Sequence, residues 1–338
     1  GANRISSALN ASVGSVRRAL DRAGVVRTSG RPRTKETVDW AEAKAFSQTP
    51  GLSDEDLVQC YLRLPQPGAP SVAEVERDWA LLKAASPVIE GGRIQASGVG
   101  QKASSLFFPY RYEARYRGLP SLNEAWFDAA WVSKALAFQR RVGDPIAPSN
   151  VHRALRAILR SPTNFRPCAA KVIVETFCPS GGLVLDPCAG YGGRALGTLA
   201  AGRAYVGVDP HPKAGEAYAA LQGLTGDLTF HNSPFEDIDL GDLQADLVFT
   251  SPPYFSVERY SDSISQSWVR YPTWGSWVKG FLQPFVAKAK RHLKPGGWFG
   301  VNTKNVKVNR KVFPIADEVV RIAEAEGLRL EQVLELPL

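Results

Sequence analysis

The most constraining feature of this chain is an alternation that begins near residue 165. Five short apolar runs, at 182–188, 204–210, 228–233, 246–251 and 297–303, are separated by stretches of helical periodicity near 193–202, 211–223, 274–293 and 313–326. Runs of that length suit strands buried on both faces, and the helices between them suit the crossovers that parallel strands need. The expected fold is therefore α/β, with a mostly parallel, Rossmann-like sheet covered by helices and filling residues 161–338. Ligands bind such sheets outside the carboxyl ends of the strands, so the residues that follow each run carry the functional information.

The first run ends in Asp186-Pro187-Cys188-Ala189-Gly190-Tyr191-Gly192-Gly193. Its glycines let the backbone approach a ligand closely before the next helix begins. The second run ends on Asp209-Pro210, and an acid there can accept two hydrogen bonds from ribose hydroxyls. Together they imply a nucleoside-containing cofactor. A G-x-G-x-x-G spacing is absent and Arg194 stands in place of a phosphate-cradling lysine, which favours a cofactor without a pyrophosphate. The fourth run stops on Ser251-Pro252-Pro253-Tyr254. An exocyclic amino nitrogen, its lone pair delocalised into a ring, must be held in line to act as a nucleophile. The Ser251 side chain and the Pro252 carbonyl suit the amino protons, and the two prolines stiffen that carbonyl. Tyr254 offers a flat face to a base swung out of a duplex. Attack by that nitrogen needs no covalent intermediate, and Cys178 and Cys188 are expected to be small core residues.

These three segments, in this order, resemble the exocyclic-amino DNA methyltransferases, which methylate cytosine N4 or adenine N6 using S-adenosylmethionine. The resemblance covers roughly 161–338 and implies a class I methyltransferase fold. It implies that Asp186, Pro187, Cys188, Ala189, Gly190, Tyr191 and Gly192 hold the methionine part of the cofactor, and that Asp209, with Pro210, holds the ribose. A polar residue after the third strand, Ser233 or Asp237, would meet the adenine. "SPTNFRPCAAKVIVETF" (161–177) matches the family's helix that closes over the methionine end, with Asn164, Phe165 and Arg166 as candidates. Ser251, Pro252, Pro253 and Tyr254 would be the catalytic set. Serine at the first position is more like the cytosine-N4 enzymes, whereas Asp or Asn leans toward adenine N6. Related Pro-Pro-Tyr loops act on guanine and glutamine amides, so an RNA or protein-amide methyltransferase is the second reading. A DNA-binding regulator on a non-catalytic methyltransferase fold is the third. The resemblance also admits a restriction nuclease as a partner, in a bacterial or phage-infected cell.

The chain departs from the family in two places. Only 13 residues (238–250) separate "HNSPFED" from the Ser-Pro-Pro-Tyr segment, leaving no room there for a target-recognition region. Residues 328–338 are expected to form a sixth strand without its usual hairpin partner. Recognition is thus expected from residues 1–160, helped by the loop 256–274 with Tyr260, Trp268, Arg270 and Tyr271.

Charge supports that division. Residues 1–35 hold eight basic side chains and one acidic one, a net of +7 out of +8 for the whole chain. A basic head on a neutral body is the pattern of a polyanion-binding module. Within it, Ile5, Ala8 and Leu9, then Val13, Val16, Leu20 and Ala23, recur at helical spacing around Asn10 and Ser12, which resembles a helix-turn-helix unit for double-stranded DNA. Arg17, Arg18 and Arg22 face away from its apolar side, and Arg31 and Arg33 lie in an extended Gly-Arg-Pro-Arg arm suited to a minor groove. Residues 36–160 are expected to be a mainly helical target-recognition region, with helices at 72–85 and 123–142. The stretch 104–118 interleaves aromatic residues with arginines, and reads equally as a nucleic-acid surface or a core strand.

The remaining composition excludes several classes. No apolar run approaches the length of a membrane span. Four cysteines without C-x-x-C spacing and four scattered histidines argue against a metal site and a disulfide framework. A reduced, cytoplasmic protein is expected. The absence of methionine, even an initiator, is expected of a processed, engineered or incomplete chain.

Overall fold

The computed structural model of the protein describes residues 38–65, 70–226, 228–308 and 310–337. The helix-turn-helix and basic arm expected at 1–35, with Arg17, Arg18, Arg22, Arg31 and Arg33, lie outside the described residues. Five strands form the central sheet: β1 (Leu183–Asp186), β2 (Ala204–Val208), β3 (Leu228–His231), β4 (Ala245–Thr250) and β5 (Leu293–Val301). All are parallel, in the order β3-β2-β1-β4-β5. The fold is Rossmann-like, as the alternation predicts. The chain winds outward from β1 to β3 and then crosses to the other side for β4 and β5. The order therefore reverses between β1 and β4, and a crevice opens at their carboxyl ends.

Side-chain alternation along the strands feeds two cores. Val184, Tyr205, Leu247 and Phe249 pack with the helices Pro167–Phe177, Gly193–Ala200 and Ala214–Thr225. Leu185, Val206 and Val248 pack on the opposite face with Trp277, Phe281, Phe285 and Val319. Residues 36–160 split between two cores. Val75, Trp79, Leu82 and Phe108 join the first face of the sheet, whereas Leu57, Tyr61, Trp126, Leu136 and Leu155 form a separate cluster.

Three expectations are corrected. The helix expected at 123–142 is two, Leu122–Trp126 and Ala129–Val142, because the Asp128 carboxylate caps the second by accepting the N–H groups of Ala130 and Trp131. Residues 104–118 do not form a core strand. Pro109, lacking an N–H, follows the helix Gln101–Phe107 and begins a 3₁₀ turn, after which Arg115–Tyr116 pairs with Glu258–Arg259. The sixth strand is absent from the sheet. Residues 328–337 run instead to the hairpin Val88–Glu90/Arg93–Gln95, where the Ile94 N–H donates to the Glu335 carbonyl at 2.9 Å. Leu334 and Leu336 pack on the first core, while Leu330 and Val333 point to solvent, so the apolar alternation reflects a single anchored stretch. No helix among the described residues is long and apolar enough to cross a membrane.

Gly193, the first residue of its helix, lies directly beneath residues 164–165. A Cβ there would overlap the Phe165 carbonyl oxygen and stand 2.8 Å from Asn164 Oδ1. Gly193→Ala is expected to cost about 1–3 kcal/mol by overpacking, read as a lowered urea midpoint. An unchanged midpoint would show that the 164–165 segment yields without cost.

Candidate active site

The loop after β1 is organised by a buried ion pair. Asp186 is 0% exposed, and its carboxylate accepts from Arg194 Nε at 2.8 Å, Tyr205 Oη at 2.8 Å and the Cys188 N–H at 3.3 Å. Arg194, itself 5% exposed, also donates to the Cys188 carbonyl and to Ser251 Oγ at 2.9 Å. Burial alone would lower its pKa, but the adjoining Asp186 carboxylate more than offsets this and holds the guanidinium above its ordinary range. Asp186 therefore does not face the crevice, contrary to the expectation for it; it fixes the loop through Arg194. Gly190 and Gly192 have φ of +57° and +75°, the left-handed region where glycine is unstrained. Gly192 faces the Phe108 ring, and Ala189 is buried with its carbonyl accepting from Tyr218 Oη at 2.8 Å. Of this loop, Pro187, Cys188, Gly190 and Tyr191 line a cavity of about 650 Å³. Burial, with Asp209 and Asp186 nearby, pushes the Cys188 thiol up, so it stays protonated and is no nucleophile.

Asp209 and Pro210 line the same cavity. The Asp209 carboxylate accepts one N–H from Gly190 at 2.8 Å and one from His211 at 2.9 Å. Burial raises its pKa to about 6, with those two donors working in the opposite direction. The His211 ring is stacked on Tyr110, centroids 4.4 Å apart. Its Nδ1 accepts from the Lys213 N–H and its Nε2 faces the Tyr260 carbonyl at 3.2 Å, which sets the neutral Nε2–H tautomer. Tyr191 packs edge-on against Tyr110 and Tyr260. The hydroxyls of Tyr110 and Tyr191 are buried without a protein partner on this wall. Facing a cavity, polar groups in that state are free to hydrogen-bond with a ligand or an ordered water.

After β3, neither expected residue reaches the cavity. The Ser233 hydroxyl donates to the Pro234 carbonyl, and Asp237 is ion-paired with Arg270 at 2.7 Å. Pro234, Phe235 and Glu236 line it instead. Glu236 is held 3.2 Å from Arg270, and burial pushes its carboxyl up. Two acids flank one another in "PFED", and only the turn of the backbone decides which faces inward. Asn164, Phe165 and Arg166 all line the cavity. Asn164 donates to Ser104 Oγ at 2.7 Å, Phe165 packs edge-on to Phe249, and Arg166 donates to the carbonyls of Ala96 and Pro337. Leu334, Leu336 and Pro337 complete that wall, a role no sequence signal announced.

At the end of β4, Ser251, Pro253 and Tyr254 line the cavity and Pro252 is buried outside it. Ser251 Oγ accepts from Arg194 Nη1 at 2.9 Å and from Asn302 Nδ2 at 3.0 Å. A hydroxyl has two acceptor sites and one proton to give. Both sites are taken, so Ser251 is placed to donate rather than to accept amino protons as expected. Tyr254 lies partly against the second core, with Lys304 Nζ 5.8 Å from its ring centroid. Burial raises its pKa to about 12, so the phenol stays protonated. From the loop 256–274, Glu258, Tyr260, Ser265, Gln266 and Ser267 face the cavity, whereas Arg270 is held by Glu236 and Asp237. No group of three or more His, Cys, Asp or Glu among the described residues is placed to hold a metal ion.

No family model matches the chain, and no curated protein matches it. Among solved structures it is similar to a TehB-like SAM-dependent methyltransferase from Corynebacterium glutamicum, at 15% identity and a TM-score of 0.33 over 54% of this chain and 84% of that one. It is similar to TrmN from Thermus thermophilus at 16% and 0.31, covering 68% and 84% of the two chains. The cyclase SpnF matches at 16% and 0.34, covering 48% of this chain and 59% of that one. Likeness of this degree assigns neither an activity nor a substrate.

Proposed function

We propose that the cavity binds S-adenosylmethionine and that its methyl group is transferred to the exocyclic amino nitrogen of a base swung out of double-stranded DNA. Cytosine N4 is placed ahead of adenine N6. One observation carries this reading: Ser251, Pro253 and Tyr254 open from β4 into the same cavity as Asp209 and the 187–191 loop. The residues present fit the cofactor. Asp209 keeps carboxylate lone pairs free beyond the two N–H groups it accepts, which suits a ribose diol. The unpartnered Tyr110 and Tyr191 hydroxyls adjoin it, Phe235 and Glu236 flank the place for an adenine, and Pro187, Cys188 and Gly190 border the methionine end. Bound there, S-adenosylmethionine would supply a methyl group from its electrophilic sulfonium and leave as the neutral thioether, the methylated nitrogen giving up one proton to solvent.

Tyr254 supplies the face on which the base stacks, and the Ser251 hydroxyl donates to the ring nitrogen beside the reacting amino group. Cytosine N3 and adenine N1 both accept such a bond, so it does not choose between them, and the preference for cytosine rests on the resemblance of serine at position 251 to the cytosine-N4 enzymes. The segment 1–35 is proposed to read duplex DNA through Arg17, Arg18, Arg22, Arg31 and Arg33. The test is transfer of tritiated methyl groups to duplex DNA, total RNA and protein, followed by digestion of the DNA to nucleosides and identification by mass. N4-methylcytosine is the expected product. N6-methyladenine would move the assignment to the other base, and label confined to RNA or protein would exclude DNA.

The Asp209 carboxyl gives a pH dependence. The acceptor form is the carboxylate, so affinity for S-adenosylmethionine should be full above about pH 7 and fall below pH 6 by up to tenfold per unit. The fold responds in the opposite sense. A raised folded-state pKa contributes stability that is present below the unfolded value and lost as pH rises through about 6. Calorimetric titration between pH 5 and 8 checks the binding, and a flat profile would remove Asp209 from the cofactor site.

A further inference from the structure

Four arginines, of which Arg156 lines the cavity, have no acidic partner among the described residues. Arg111 is 8% exposed; one Nη donates to Ser105 Oγ and Tyr112 Oη, while its Nε is buried without a partner. Arg156 lines the cavity, and its pKa is lowered first by burial and then by the nearby Arg111 charge. Arg117 and Arg160 both lie over the Tyr116 ring, 5.4 and 5.7 Å from its centroid, and the Arg117 Nε is also buried and unpartnered. Among the described residues none of the four stands within ion-pair distance of a carboxylate. Their neighbours differ: Arg115 pairs with Glu124, Arg140 with Asp54 and Arg153 with Asp144.

Arg111 is buried, Arg117 and Arg156 are half-buried, with one Arg117 Nη donating to the Lys307 carbonyl, and Arg160 is exposed. Uncompensated cations withdrawn from water are costly, and a cluster with unused donors is complementary to an anion brought by a ligand. The guanidinium fork matches phosphate oxygens two at a time. Distribution identifies the anion. Three of the four guanidiniums, those of Arg111, Arg117 and Arg160, lie over the rings of Tyr112 and Tyr116 rather than converging on one point, which suits a chain of phosphates better than a single small anion. His152 packs edge-on against Tyr112, and burial with Arg156 and Arg111 lowers its pKa to about 3, so it adds no charge of its own.

We propose that Arg111, Arg117, Arg156 and Arg160 form a phosphodiester groove that seats the strand carrying the extruded base, leading it past Arg156 into the cavity toward Tyr254. The proposal rests on the nucleic-acid reading above and adds a backbone site from outside the methyltransferase motifs. The test is the Arg156→Gln/Arg160→Gln variant of the full chain, which removes no ion pair and no core side chain. Its binding to a fluorescent DNA duplex is followed by anisotropy across about 50–200 mM salt. The slope of log affinity against log salt should fall by about 1.8, two phosphate contacts at about 0.9 each. Affinity should fall at least tenfold, with the melting temperature and S-adenosylmethionine affinity unchanged. The Lys/Lys variant should retain most of the slope. An unchanged slope in the Gln variant overturns the groove alone, and so does a loss confined to S-adenosylmethionine. Should the unmodified protein bind S-adenosylmethionine but no nucleic acid, the nucleic-acid reading fails and the groove with it.

Discussion

Tyr254→Ala is expected to lower kcat/KM for methyl transfer by about a hundredfold or more while leaving S-adenosylmethionine affinity within about twofold. The residue follows two prolines at the end of β4, and its ring is held partly against the second core, so its face is presented without much freedom. Stacking a base on an aromatic ring is worth about 1–3 kcal/mol, and misplacing a nucleophile by about an ångström costs about another hundredfold. The two effects act on the base and not on the cofactor, whose proposed contacts come from Asp209, Phe235 and the 187–191 loop. Tyr254→Phe keeps the ring and should lie within about fivefold of the parent, because a phenol with a pKa near 12 takes no part as a base at neutral pH. Single-turnover label transfer, with cofactor titration by calorimetry, separates the two quantities. Full activity in Tyr254→Ala would end the stacking role.

The sheet was legible because β1, β2 and β4 are continuous apolar runs of the kind that burial on both faces produces, and because glycine and proline punctuate the strand ends. The placement of Asp209, Pro187 and Tyr254 at one crevice followed from that alone, since strand ends share an edge whatever the side chains do. What escaped depends on side-chain direction and on contacts remote in sequence. Ser233 and Asp237 bracket the turn after β3, yet Glu236 between them faces the cavity. Asp186 belongs to the expected motif but is turned away by Arg194, eight positions later. Residues 334–337 form a cavity wall through a pairing with residues 92–94, about 240 positions upstream, which no local periodicity encodes. The break at Asp128 was hidden because the helices on either side share one apolar rhythm and only the cap interrupts it.

The largest effect on stability is expected at Arg194. Arg194→Met leaves the Asp186 carboxylate buried with no cation, and removing one partner of a buried pair costs about 3–5 kcal/mol. Adding Asp186→Asn removes the stranded charge while keeping an acceptor for the Tyr205 hydroxyl, so the double variant should recover most of the loss in urea unfolding. Methyl transfer should not recover with it. Arg194 also donates to Ser251 Oγ and to the Cys188 carbonyl, and neither contact is replaced by a methionine side chain. With that donor gone, one acceptor site of Ser251 is free again and its hydroxyl proton is no longer directed toward a ring nitrogen. Stability and activity therefore part company in the double variant: a folded protein about as robust as the parent, with kcat reduced at least tenfold. Recovery of both together would mean that Arg194 serves only to neutralise Asp186, and that the geometry of Ser251 is fixed by Asn302 alone.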